Sequence, residues 1–144
     1  MAFLTRKSDK VELLRQVELF SALSTRQLEA VARATTEVPF TAGELLAAQG
    51  TDGDCCYVVA AGSLNVRRNG RKIAALGPGQ VAGEMAVIDG EPRTADLIAA
   101  EDGAALVMTR REFGGLLDQV PGLQRKVLVA LSQRLRKADS RLYG

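Results

Sequence analysis

The chain has 144 residues, of which 47% are hydrophobic and 25% charged, with a formal net charge of +2. That length suits one domain with a real core, and so small a charge announces neither a nucleic-acid nor a membrane partner. Histidine is absent, which removes Ser-His and Cys-His nucleophile pairs and the usual zinc or iron ligand sets. An enzyme, including a metal-dependent one on a β-barrel scaffold, is therefore not expected. No apolar run approaches the ~18 residues of a membrane span, and the first ten residues hold no signal-peptide core, so the chain reads as cytoplasmic.

The pattern along the chain is helix, then strand, then helix. Within residues 10–20, Val11, Leu14 and Val17 recur at helical spacing. Ser24 or Thr25 is placed to cap a second helix, with Leu28, Val31 and Ala32 on one face. From about residue 36 to 109, glycines cut the chain into strand-sized pieces, with Val38 and Phe40 at the start. Residues 57–60, 64–68, 72–76, 97–100 and 105–108 read as strands. Asn69-Gly70 between the second and third predicts a type I′ hairpin. Neighbouring residues on a strand face opposite ways, so the adjacent Cys55 and Cys56 read as two packed thiols rather than a shared metal site.

After Thr109 helical spacing returns, over residues 110–118 and again from Pro121 to Leu142. The last helix carries two apolar rows. Leu123, Val127 and Ala130 suit packing on the strands. Leu128, Leu131, Leu135, Ala138 and Leu142 follow a 3-4-3-4 spacing that fits either the chain's own N-terminal helices or a homodimer seam. Its cations (Arg125, Lys126, Arg134, Arg136, Lys137 and Arg141) are spread around the helix, so direct DNA binding is not expected.

The informative segment is residues 77–100, GPGQVAGEMAVIDGEPRTADLIAA. It breaks the strand rhythm with a short helical stretch after Gly83. Backbone amides at a helix start lack internal partners and attract anions. Gly83 allows close approach to the main chain. Arg93 offers a guanidinium fork matched to phosphate, and Glu84 suits a sugar hydroxyl that donates to a carboxylate. These features fit a phosphate-sugar ligand; they also fit a surface turn with solvated Glu84 and Arg93.

Gly83-Glu84-Met85-Ala86-Val87 followed by Pro92-Arg93-Thr94-Ala95 resembles the phosphate-binding cassette of the cyclic nucleotide-binding domain family. Gly43-Glu44, Gly50, Gly53-Asp54, Tyr57, Gly62 and Val66 are similar to that family's glycine-marked roll, and the likeness covers about residues 10–142. The resemblance implies a mainly β fold: an antiparallel β-roll, jelly-roll-like, with N-terminal helices and a C-terminal lid helix. It implies one domain over 1–144, with helices in about 1–35, the roll in 36–109, the cassette at 83–95 and helices in 110–142. It implies a ligand, cAMP or possibly cGMP, and neither a catalytic residue, a metal nor a cofactor. Glu84 is expected on the ribose 2′-hydroxyl. Arg93 is expected on the cyclic phosphate, beside backbone amides near Met85 and Ala86, with Gly83 admitting the ligand to the main chain. Thr94 and Ala95 would lie near phosphate and base, with Val66 and Met85 among the apolar walls. Arg134 falls where a lid arginine stacks on the base; a solvated or ion-paired Arg134 is the other reading.

Two residues depart from the family pattern. Ala82 replaces an aromatic, and Asp96 replaces a small hydroxylated residue; Asp96 is expected to point to solvent, because a carboxylate facing the pocket would repel phosphate. The expected role is a non-catalytic sensor that moves its last helix and acts through an unknown effector or a second copy. The alternatives are a sensor fragment of a DNA-binding regulator or of a channel, or a degenerate domain. The start at Met1 favours a complete chain.

Overall fold

The computed structural model describes residues 6–143, with side chains up to residue 140, so the expected seam residue Leu142 and the cation Arg141 lie outside the described side chains. Helices α1 (Lys7–Arg15) and α2 (Thr25–Arg33) lead into eight strands: β1 (Thr36–Phe40), β2 (Leu45–Ala47), β3 (Cys55–Ala61), β4 (Leu64–Arg68), β5 (Arg71–Leu76), β6 (Val81–Ala82), β7 (Asp96–Ala99) and β8 (Gly103–Thr109). A four-residue helix α3 (Ala86–Asp89) interrupts the strands, and α4 (Arg110–Gln119) and α5 (Leu123–Tyr143) follow them. The strands form two antiparallel four-stranded sheets, β1-β8-β3-β6 and β2-β7-β4-β5. This is the expected antiparallel β-roll with flanking helices.

Strand alternation divides the interior in two. Cys56, Val58, Leu106 and Met108 face the helices and join a core with Leu14, Leu28, Phe113, Leu123 and Val127. Val59 and Ala105 face the other way, into the roll, with Phe40, Leu64 and Ala99. Tyr57 and Val59 thus look into the roll, and the same strand brings Cys55 and Tyr57 against Arg93 of the cassette.

Helix ends follow local chemistry. Ser24 and Gln27 form a capping box on α2, and Thr109 and Glu112 form another on α4. The expected first helix over 10–20 is shorter than its apolar spacing suggested. It ends at Arg15, and Glu18–Phe20 form a separate 3₁₀ turn. Val17, Leu19 and Phe20 are all buried, and a continued α-helix would turn Leu19 to the far side. The last helix begins at Leu123 rather than Pro121, because Gly122 sits at φ +80°, outside the right-handed helical region. Asn69 at φ 53° and Gly70 at φ 80° build the expected I′ hairpin. The short β2 and β6 carried too few residues to read as strands.

The two rows of α5 are buried to different degrees, and Leu131 of the second row still reaches the core. Leu123 and Val127 are buried, and Ala130 and Leu131 pack partly on the core. Leu128 and Leu135 each remain 65% exposed, so the N-terminal helices leave these two residues of the second row uncovered.

The Phe113 ring is 1% exposed and lies 6.5 Å, centroid to centroid, from Phe20, where α4 meets the 3₁₀ turn. Phe113→Ala is expected to cost about 3–5 kcal/mol, read as a lower urea midpoint at unchanged m-value.

Candidate functional site

The mouth of the roll holds a cavity of about 450 Å³ between β4, β5, β6, β7 and the segment 83–95. Its apolar walls include Val66, Leu76, Val81 and Leu97. Gly83, Glu84, Met85, Ala86, Arg93, Thr94 and Ala95 also line it, so eight of the nine residues singled out from sequence meet around one space. Arg134, the ninth, reaches it from α5 through Glu84.

Arg93 is the centre of the arrangement. It is 8% exposed, and its Nη2 donates to the Cys55 carbonyl at 2.5 Å and to Cys55 Sγ at 3.3 Å. Its guanidinium carbon lies 5.4 Å from the centroid of the Tyr57 ring. All these partners are neutral, and among the described residues no carboxylate forms an ion pair with Arg93. Gly83, at φ +81°, lies directly against the guanidinium: a Cβ there would fall on Arg93 Nη1 and 3.1 Å from the Cys55 carbonyl oxygen. The position therefore demands glycine twice over, by backbone angle and by space.

Sequence reading missed the bed beneath Arg93. Tyr57 appeared only as a marker of the roll, and Cys55 as an inert thiol. Tyr57 pairs across the strands with Ala82, donates from its hydroxyl to the Leu46 carbonyl at 3.0 Å, and supplies a ring under the guanidinium. An aromatic ring thus does stand beside position 82, contributed by the neighbouring strand. Burial, and then the Cys55 thiol, push the Tyr57 phenol up to about 12, so the ring keeps its proton near neutral pH.

The carboxylates are arranged unequally. Glu84 accepts from Arg134 Nη1 at 2.9 Å, with side chains 20% and 31% exposed. Arg134 also lies 3.6 Å from Met85 Sδ, and its Nε is 3.9 Å from Glu18 in the 3₁₀ turn. Lys137 approaches the same Glu18 oxygen at 3.9 Å. Arg134 is thus ion-paired with Glu84 in this structure. Asp89 and Glu91 line the cavity as well, two exposed acids that the sequence reading did not single out. Asp96 does not line it. As alternation requires, Ala95 and Leu97 face in while Asp96 faces out, but its Oδ1 accepts from the Gln49 amide at 2.6 Å instead of standing free in solvent.

The family described as "Cyclic nucleotide-binding domain" matches residues 37–120. The chain is 30% identical over 129 residues to the cyclic AMP receptor protein of Thermus thermophilus, covering 86% of this chain and 60% of that protein. It thus spans less than two thirds of that curated relative. Among solved structures, the N-terminal domain of a transcriptional regulator from Streptomyces coelicolor superposes with a TM-score of 0.83 at 31% identity. That superposition covers 89% of this chain and 95% of the other. The regulatory domain of Toxoplasma gondii PKA, in co-crystal with cAMP, superposes with a TM-score of 0.73 at 25% identity, covering 89% and 59%.

The two thiols should differ in reactivity. Burial raises Cys56 to about 12, and it is 2% exposed, whereas Cys55 is half-buried beside Arg93. At about pH 8 Cys56 stays protonated, and the thiolate is the reactive form. An aromatic disulfide reagent should release at most one equivalent from the native chain and two after denaturation.

Proposed function

Because the chain belongs to the cyclic nucleotide-binding domain family, we propose that it is a non-catalytic sensor of a cyclic purine nucleotide, cAMP before cGMP. The observation that carries this reading is the buried Arg93 guanidinium with neutral partners alone. A buried charge is costly unless a counter-charge meets it, and a cyclic phosphate in the cavity supplies one. Gly83 brings the main chain close, so that the amides at Met85 and Ala86 add donors to the same anion. Glu84 takes the ribose 2′-hydroxyl. Thr94 and Ala95 lie beside phosphate and base, and Val66, Leu76 and Met85 hold the purine by apolar contact.

The signal passes through Glu84 to α5. The acceptor for the sugar is also the acceptor for Arg134, so a ligand that engages Glu84 alters the attachment of the last helix. A ligand shifts that helix only by the difference in its affinity for the two arrangements. The readout is a second copy of this chain. The exposed Leu128 and Leu135 lie on a 3-4-3 row with Leu131 and Ala138, and in a parallel pair Arg134 would face Asp139 of the other helix. A second reading makes the chain the sensor portion of a DNA-binding transcriptional regulator. The near-complete overlap with the N-terminal domain of the Streptomyces regulator favours it.

Isothermal titration with cAMP and cGMP tests the first reading. Saturable binding that Arg93→Ala weakens by about 1.5–3 kcal/mol, as expected for a charged hydrogen bond, supports it. No heat from either nucleotide at millimolar concentration sinks it. For the pairing, Leu128→Lys with Leu135→Lys should convert a dimer to a monomer in sedimentation velocity; a monomeric parent chain refutes it.

A further inference from the structure

Arg93 must be held from outside the cavity as well as from within, and its main chain shows how. The Arg93 amide donates to the Thr51 carbonyl at 2.7 Å, and the Gly50 amide donates to the Arg93 carbonyl at 2.8 Å. The phosphate-reading residue is therefore stitched on both sides to the turn 48–51. That turn needs an anchor of its own. The Gln49 amide donates to Asp96 Oδ1 at 2.6 Å. The Gln49 side chain exchanges two bonds with the hairpin tip: its Nε2 donates to Asn69 Oδ1, and its Oε1 accepts from the Asn69 amide, both at 3.0 Å. From the same tip, Arg68 Nε donates to the Thr94 carbonyl at 3.1 Å.

On the reading of Arg93 as the phosphate ligand, we propose that Asp96 and Gln49 are positioning residues that brace Arg93 for anion binding without touching the ligand. Asp96 lies on the outward face of β7, opposite Arg67 in the register, so its charge is turned from the cavity and spent on one main-chain amide. A bond from an amide to a carboxylate is stronger than one to a neutral acceptor. The carboxylate that departs from the family pattern thus strengthens the site, because it fixes the turn that fixes Arg93. Gln49 then ties that turn to the β4–β5 hairpin, so the strand entry at residues 93–94 has two independent supports.

The test uses Asp96→Ala, Gln49→Ala and Asp96→Asn, the last keeping an oxygen that can accept from Gln49. Amide hydrogen exchange by NMR on the full chain comes first and needs no ligand. Asp96→Ala and Gln49→Ala should each speed exchange at Gly50 and Arg93 about five- to tenfold, equivalent to one ordinary hydrogen bond. Val58 and Leu106 in the central sheet should keep their protection, and Asp96→Asn should restore the parent rates only in part, because its oxygen is a neutral acceptor. Unchanged exchange at Gly50 and Arg93 in both alanine variants overturns the brace. If Asp96→Ala fails to fold, Gln49→Ala decides alone. Titration with cAMP comes second. Affinity should fall about fivefold or more in the alanine variants and recover in part in Asp96→Asn. A chain that binds cAMP equally well in all four forms overturns the positioning role. A parent chain that binds no nucleotide overturns the ligand reading instead, and the exchange rates still judge the brace.

Discussion

One buried cation governs the geometry of this molecule. Arg93 sits at the wall of the roll with a carbonyl, a thiol and an aromatic ring around it. Hydrogen bonds from a guanidinium to neutral oxygens offset part of its lost hydration, but they do not cancel its charge. The surrounding structure holds a cation where only an anion completes the electrostatics. Much of the local architecture follows from that. Position 83 is a glycine because the guanidinium occupies the space of a side chain. Strand β3 must turn Tyr57 into the roll so that its ring and the Cys55 carbonyl can receive Arg93.

The helices depend on the same strands from their other face. Even residues of β3 and β8 bury against α4 and α5, and the Phe20–Phe113 contact ties the N-terminal 3₁₀ turn into that layer. The cavity opens between the second sheet, β6 and the cassette, and the helical layer lies on the outer face of β3 and β8. A shift at the cassette reaches the helices without a long relay. Helix α3 packs against both β3 and α4, and Glu84 ahead of it holds α5 through Arg134.

How much of this was legible in the chain depends on the range of each contact. Local signals read well. The Asn69-Gly70 turn, the Ser24 cap and the helical spacing of Val11 and Leu14 are decided within a few residues, and the structure agrees. The cassette residues also lie close in sequence, so their convergence on one cavity followed from spacing and resemblance together. What failed to show was set by tertiary context. The break after Arg15 exists because Leu19 must turn inward toward a core built much later in the chain. The bed under Arg93 joins residues 38 positions apart. Asp96 looked like a flaw because no local pattern reveals a bond to the Gln49 amide, 47 positions away.

The proposed signalling route rests on a shared acceptor. A carboxylate has two oxygens and about four lone-pair directions, so Glu84 can hold Arg134 and a sugar hydroxyl together. The two partners still draw on one negative charge, and the side chain has one orientation to satisfy both. Reciprocity then sets a condition on any account of this helix. If a nucleotide loosens the Arg134 contact, Arg134 must oppose nucleotide binding by the same free energy, and if it tightens the contact, Arg134 must assist. Glu18 and Lys137 enter the balance, since Glu18 offers the guanidinium a second seat on the N-terminal 3₁₀ turn and Lys137 competes for that oxygen. Helix α5 thus holds Arg134 between an acid on the cassette and an acid on the N-terminal turn, and in the proposed route the ligand's grip on Glu84 would decide which of the two holds it more strongly.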